Sequence, residues 1–104
     1  MRLNSKRPVR EKIVLHLREH PIRDERPAPF ECTQRGMRDV LNVDKSYLCE
    51  QLLRLQAEGI VEVQVRAIER DRRRCGRKVG AYSLTLKGRK LADMIVLQQT
   101  QPST

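Results

Sequence analysis

Residues 33 to 58 read TQRGMRDVLNVDKSYLCEQLLRLQAE, and Gly59 closes them. The spacing predicts two short helices joined by a tight turn. Thr33 suits an N-cap, because its hydroxyl can accept from an N–H that the first helical turn leaves without a partner. Met37, Val40 and Leu41 recur at i, i+3, i+4 and give a narrow apolar face. Asn42-Val43-Asp44 interrupts the pattern. Asp44 can cap the next helix, and its charge suits the positive end of that helix. From Lys45 onward, Leu48, Leu52 and Leu55 recur at helical spacing and are expected to face a core. Gly59 supplies the stop, since glycine tolerates the left-handed conformation that ends many helices.

The outward face of the second helix is expected to hold Lys45, Ser46, Tyr47, Glu50, Gln51 and Arg54. These are hydrogen-bonding side chains of varied length, the kind that reads base edges in a major groove. They would serve equally as the solvated face of an ordinary helix, so the residues after Gly59 decide the weighting. Residues 60 to 69 (IVEVQVRAIE) alternate, with Val61, Val63, Val65 and Ala67 on one face and Glu62, Gln64 and Arg66 on the other. Period two with β-branched residues predicts a strand. Residues 79 to 84 (VGAYSL) predict the return strand, with Tyr82 and Leu84 on a common face. Between them RDRRRCGRK, residues 70 to 78, reads as the hairpin loop, with Gly76 to permit the turn. It sets Arg70, Arg72, Arg73, Arg74, Arg77 and Lys78 against Asp71. Such a tip repels itself unless something neutralises it. A solvated basic loop is the plain alternative, but the position directly after a helix-turn-helix favours nucleic-acid contact.

Three pieces taken in order carry a resemblance: TQRGMRDVLNV, the frame Leu48-x3-Leu52-x2-Leu55-x3-Gly59-Ile60-Val61, and Tyr82-x-Leu84-Thr85-x2-Gly88. Together they resemble a winged helix-turn-helix domain of the MarR-like type, closest to archaeal regulators in which a Thr-Gln-x-Gly helix precedes the recognition helix. The resemblance implies an α+β fold: helix, short strand, helix, helix, β-hairpin wing, terminal helix. Residues 1 to 98 would form one domain, with the helix-turn-helix at 33–58, the wing at 60–84, a flexible basic arm at 1–8 and a polar tail or linker at 99–104. It further implies sequence-specific binding of double-stranded DNA by a transcriptional regulator. The recognition helix would enter the major groove. The arginines of the wing would hold phosphates bidentately or enter a narrow minor groove. Thr33 and Gln34 would clamp the backbone, because a helix N-terminus presents free N–H groups to phosphate. Glu50 stands where many relatives carry a basic or small polar residue. The terminal helices would supply a homodimer contact, although this terminal helix is short for that task.

Composition is consistent with this reading. The 104 residues suit one small domain, and Phe30, Tyr47 and Tyr82 are the only aromatics, so the core must be aliphatic. A formal charge of +9 points to a polyanionic partner, most simply nucleic acid. An anionic membrane is the rival, but no long apolar run supports it. No apolar stretch succeeds the basic start, so a cytoplasmic chain is expected. Cys32, Cys49 and Cys75 are odd in number and fit no zinc pattern, which predicts free thiols. Cys75, in a basic loop that would lower its pKa, is a candidate for redox chemistry, though one exposed thiol proves little.

Elsewhere, Val9, Ile13 and Leu17, with Val14 and His16, predict a helix over residues 8 to 20, ended by His20-Pro21. His16 and His20 sit at i, i+4, a spacing that could hold a metal, but no carboxylate or cysteine motif completes such a site and no metal is expected. Residues 21 to 29 carry three prolines and predict a loop; Phe30-Glu31-Cys32 is expected to be a short strand with Phe30 in the core. Leu53 lies beside the core stripe and reads as a core-edge residue, or as a contact to the first helix or a second subunit. Thr85 can cap a last helix over 86–98, whose Leu91, Met94, Ile95 and Leu97 leave apolar surface beyond what one core needs. No Gly-rich phosphate loop, nucleophile elbow or paired-carboxylate motif is present, so no enzyme and no cofactor is expected. Two further readings stay open: a winged-helix protein-interaction module (or N-terminal module of a larger signalling protein), and RNA binding. The latter is disfavoured because an A-form major groove is too narrow for a helix and no stacking platform exists.

Overall fold

The computed structural model describes residues 7–23, 27–70 and 73–100, of which 74–77, 99 and 100 are described by backbone alone. The order is α1 (Val9–Glu19), β1 (Ala28–Pro29), a 3-10 turn (Phe30–Cys32), α2 (Gln34–Leu41), α3 (Lys45–Ala57), β2 (Val61–Arg70), β3 (Arg73–Leu84) and α4 (Leu86–Thr100). Strands stand in the order β1-β2-β3, with β1 parallel to β2 and β2 antiparallel to β3. This is the expected α+β architecture. The core joins Ile13, Val14 and Leu17 of α1 to Met37, to Leu48, Leu52 and Leu55 of α3, to the bases of β2 and β3, and to Ala92 and Ile95 of α4. α1 and α3 bury the stripes that their periodicity marked, whereas on α2 Met37 is buried and Leu41 half-buried but Val40 is 58% exposed.

Two Thr-x-x-Gly segments fix how the helices meet the rest. Thr33 Oγ1 donates to Phe30 O at 2.7 Å and accepts from Gly36 N at 3.0 Å. A Cβ on Gly36 would lie 2.2 Å from that same Phe30 carbonyl. Thr85 repeats the cap at α4: its Oγ1 accepts from Gly88 N at 3.1 Å and faces two carbonyls, Gly59 O at 2.5 Å and Ile60 O at 3.1 Å. A Cβ on Gly88 would lie 2.1 Å from Ile60 O. In both places the threonine caps the helix, and the glycine lets the helix backbone close on the preceding carbonyl. Gly59 has the positive φ, 76°, expected of the residue that ends α3.

Several sequence expectations shift. The short strand is Ala28–Pro29, while Phe30–Cys32 coils into a 3-10 turn. Pro29 has no N–H to donate, which suits the edge of a sheet, and the Phe30 carbonyl is taken by the backbone N–H and hydroxyl of Thr33. Tyr82 is the buried ring; Phe30 is half-buried with the Arg70 guanidinium 4.2 Å over its face. The segment read as a basic loop over 70–78 is mostly strand, because β2 runs to Arg70 and β3 starts at Arg73. Pairing passes from Ala67↔Lys78 to Ile68↔Cys75, so Gly76 and Arg77 are extra residues on β3 and bulge it. The alternation on β2 marks a strand but not a uniformly buried face: Val61 is buried, whereas Val65 is 69% exposed. Ile68, three residues nearer the tip, is buried beside Ala28 of β1. α4 also runs past the expected end to Thr100, and residues 1–6 of the proposed basic arm lie outside the described residues.

The end of α1 is sewn to the 3-10 turn. His16 Nε2–H donates to Glu31 O at 2.8 Å, Cys32 Sγ donates to His20 O at 2.9 Å, and the two histidine rings lie 4.6 Å apart. Burial pushes the Cys32 thiol up to about 12, so it is inert. Burial also lowers the His16 pKa, the backbone bond to Glu31 opposing it. An unfolded chain thus binds a proton near the ordinary histidine value that the folded one refuses. The stability is present above the unfolded pKa and is lost as pH falls through the folded one. Urea denaturation should show the midpoint dropping between about pH 7 and pH 5, and His16→Gln should flatten that slope. Gly36→Ala and Gly88→Ala should each cost about 3 kcal/mol in the same assay, against about 1 kcal/mol for Thr33→Ala or Thr85→Ala.

Candidate nucleic-acid interface

The turn between α2 and α3 has a defined local cause. Asn42 takes the left-handed conformation (φ 55°, ψ 51°) and its N–H closes α2 on Arg38 O at 2.8 Å. Asp44 Oδ2 then accepts from Ser46 N at 3.0 Å and Tyr47 N at 3.4 Å, starting α3. Leu48, Leu52 and Leu55 seat α3 in the core. At its far end Glu58 receives Arg10 of α1 through both guanidinium nitrogens, one at 2.6 Å, and Lys87 of α4 donates to Glu58 O at 2.9 Å. The Arg10 hydrogen bonds hold the Glu58 carboxyl below its ordinary pKa. The orientation of α3 is thus set from both ends.

This seating leaves Lys45, Ser46, Tyr47, Glu50 and Arg54 exposed, as the sequence predicts. Gln51 is a correction: it is only 9% exposed and lies on the inward side of the helix, next to the leucine stripe. Its position in the helical period, between Leu48 and Leu55, carries it toward the core. Glu50 and Arg54 approach to 3.5 Å, one turn apart. Thr33, the expected clamp for backbone phosphate, is 6% exposed and its hydroxyl is engaged with Phe30 O and Gly36 N. Gln34 is half-buried and donates to Tyr82 OH at 2.9 Å. Arg35, which the sequence reading passed over, is the exposed residue of that first turn. A cation there opposes the helix dipole, a sign that its place is not explained by helix stability.

On the hairpin, Arg70 and Arg73 face each other across the two-residue connection, and both are exposed, as is Lys78. Arg70 is also stacked on Phe30, which braces β2 against the turn before α2. Arg72 lies outside the described residues, and so do the side chains of Arg74, Arg77 and Cys75. Among the described residues no three potential ligands cluster around a metal position, and His16 and His20 are engaged with each other and with the 3-10 turn. No described helix is long and apolar enough to cross a membrane.

No protein-family model and no curated protein matches the chain. Among solved structures, a protein from Ralstonia eutropha JMP134 that bears a DNA-binding assignment is 31% identical, with 85% of this chain and 94% of that one aligned at a TM-score of 0.59. This chain belongs to the same family. The transcriptional regulator SlyA shares the winged-helix fold at 16% identity and a TM-score of 0.59, over 86% of this chain and 52% of SlyA. In the winged-helix frame α2 and α3 are the helix-turn-helix and β2–β3 is the wing.

Because Asp44 satisfies two N–H groups at the start of α3, Asp44→Ala should lower stability by about 1 kcal/mol in urea denaturation, while Asp44→Asn should retain most of it.

Proposed function

We propose that this chain is a MarR-like regulator that binds double-stranded DNA in a sequence-dependent way, with α3 in the major groove and the wing along the flanking backbone. One observation carries the reading. The capped α3 presents Lys45, Ser46, Tyr47, Glu50 and Arg54 to solvent on a chain with a formal charge of +9. Family membership with a protein assigned to DNA binding supports it. Lys45, Ser46, Tyr47, Glu50 and Arg54 are the proposed groove-facing set. Arg35, Arg70, Arg72, Arg73, Arg74, Arg77 and Lys78 are the proposed phosphate or minor-groove set, with Gln34 beside them at the start of α2. Base contacts then specify and phosphate contacts position. Exposed Leu86 and Met94 on α4 support a homodimer contact there, which would double the site. The Thr-Gln-x-Gly helix is what supports kinship with archaeal relatives, and the DNA partner implies a cytoplasmic location.

Fluorescence anisotropy with a labelled mixed-sequence duplex, repeated at several salt concentrations, tests the proposal. With about six phosphates contacted, log K should fall with log salt at a slope near −5. A slope near zero, or no binding at low salt, would sink it. Arg73→Ala and Lys78→Ala should each weaken binding to all sequences alike and reduce the slope by about one.

A further inference from the structure

We propose that the DNA preferred by this chain is recognised through thymine methyl groups, with Leu53 and Tyr47 of α3 as the contacting side chains. The proposal rests on the DNA-binding function proposed for α3 and specifies the chemistry of the same face. Leu53 is 61% exposed and Tyr47 46%. Neither belongs to the core or to the apolar residues packed against it. At about 100° per residue, the two lie about 60° to either side of Glu50, so they share one outward face with Ser46, Glu50 and Arg54.

The hydrogen-bonding readers on that face are fewer than the sequence suggests. Gln51, the residue type that pairs with adenine, is turned inward. Glu50 and Arg54 pair with each other at 3.5 Å. Beside them the face carries a serine hydroxyl and a phenol ring on the first turn, Ser46 and Tyr47, and a leucine side chain farther along, Leu53. A B-form major groove offers such side chains one apolar partner, the C5 methyl of thymine. Charge selects the occupant. Lys45 and Arg54 stand on the same helix, the wing adds Arg70, Arg73 and Lys78, and all are exposed. A polyanion with apolar groups in its groove matches this surface.

The test uses the full chain and one sequence that it enriches from a random duplex pool. That sequence is made twice, once with thymine and once with deoxyuridine throughout. Uracil keeps the phosphates and the hydrogen-bonding edges and lacks only the methyl group. The chain should bind the thymine duplex more tightly, by about fourfold for each methyl group buried. Leu53→Ala and Tyr47→Ala, both at exposed positions, should each bring the thymine-to-uracil ratio toward one while leaving the salt slope unchanged. Equal affinity of the unsubstituted chain for both duplexes, with salt-dependent binding retained, would overturn the methyl reading and leave DNA binding standing. Absence of binding to either duplex at low salt would overturn the DNA-binding reading, and this proposal with it. A Leu53→Ala chain that changes oligomeric state in sedimentation but keeps the ratio would assign Leu53 to a subunit contact and overturn its role here.

Discussion

Two backbone carbonyls, Phe30 O and Ile60 O, each accept a threonine backbone N–H and lie against a close-packed helical glycine. Much of the arrangement depends on these contacts. A helix N-terminus leaves N–H groups without partners, and a buried carbonyl needs donors. A Thr-x-x-Gly segment answers both needs at once. The hydroxyl accepts from the glycine N–H and donates to a carbonyl of the preceding segment, and the missing Cβ allows the approach. The first segment places α2, and through the Asn42–Asp44 turn it places α3. The second places α4 on the strand that leaves α3. α3 is therefore bracketed by two copies of one local device.

The wing shares the core at its base through Val61, Tyr82 and Leu84 and again near its tip through Ile68, where β1 adds two residue pairs beside Ile68 and Glu69. The Arg70–Phe30 stack is the outermost brace in the described part. At the end of the ladder Glu69 faces Arg74, but Arg70 faces Arg73. Like charges directly across a ladder are destabilising. The sequence accepts that cost where no core packing can offset it, which is coherent with an anionic partner that neutralises the hairpin. α3 is thus fixed by packing, while the hairpin is dominated by charge.

Most of the fold was legible because its signals are local. The leucine stripe of α3, the Thr33, Asp44 and Thr85 caps and the Gly59 stop all appear where residue chemistry places them. The errors share a physical origin. The basic segment over 70–78 looked like a loop because arginines and a glycine carry weak strand propensity. Ladder hydrogen bonds to β2 override that, and the Gly76–Arg77 bulge absorbs the mismatch. The Phe30–Cys32 turn looked like a strand because its wrap around Thr33 requires knowing that α2 closes against it.

The candidate site divides the same way. The sequence alone determined which helix is capped, which stripe is buried and how much positive charge the hairpin carries, since these depend on side-chain chemistry at fixed spacing. Only the tertiary structure decided that Gln51 turns inward, that Thr33 is spent on a carbonyl, that Arg70 lies on Phe30 and that Leu53 stays uncovered. Helical period alone places residues at the edge of a stripe on either side of the burial boundary. Which side they take depends on how far the neighbouring elements reach.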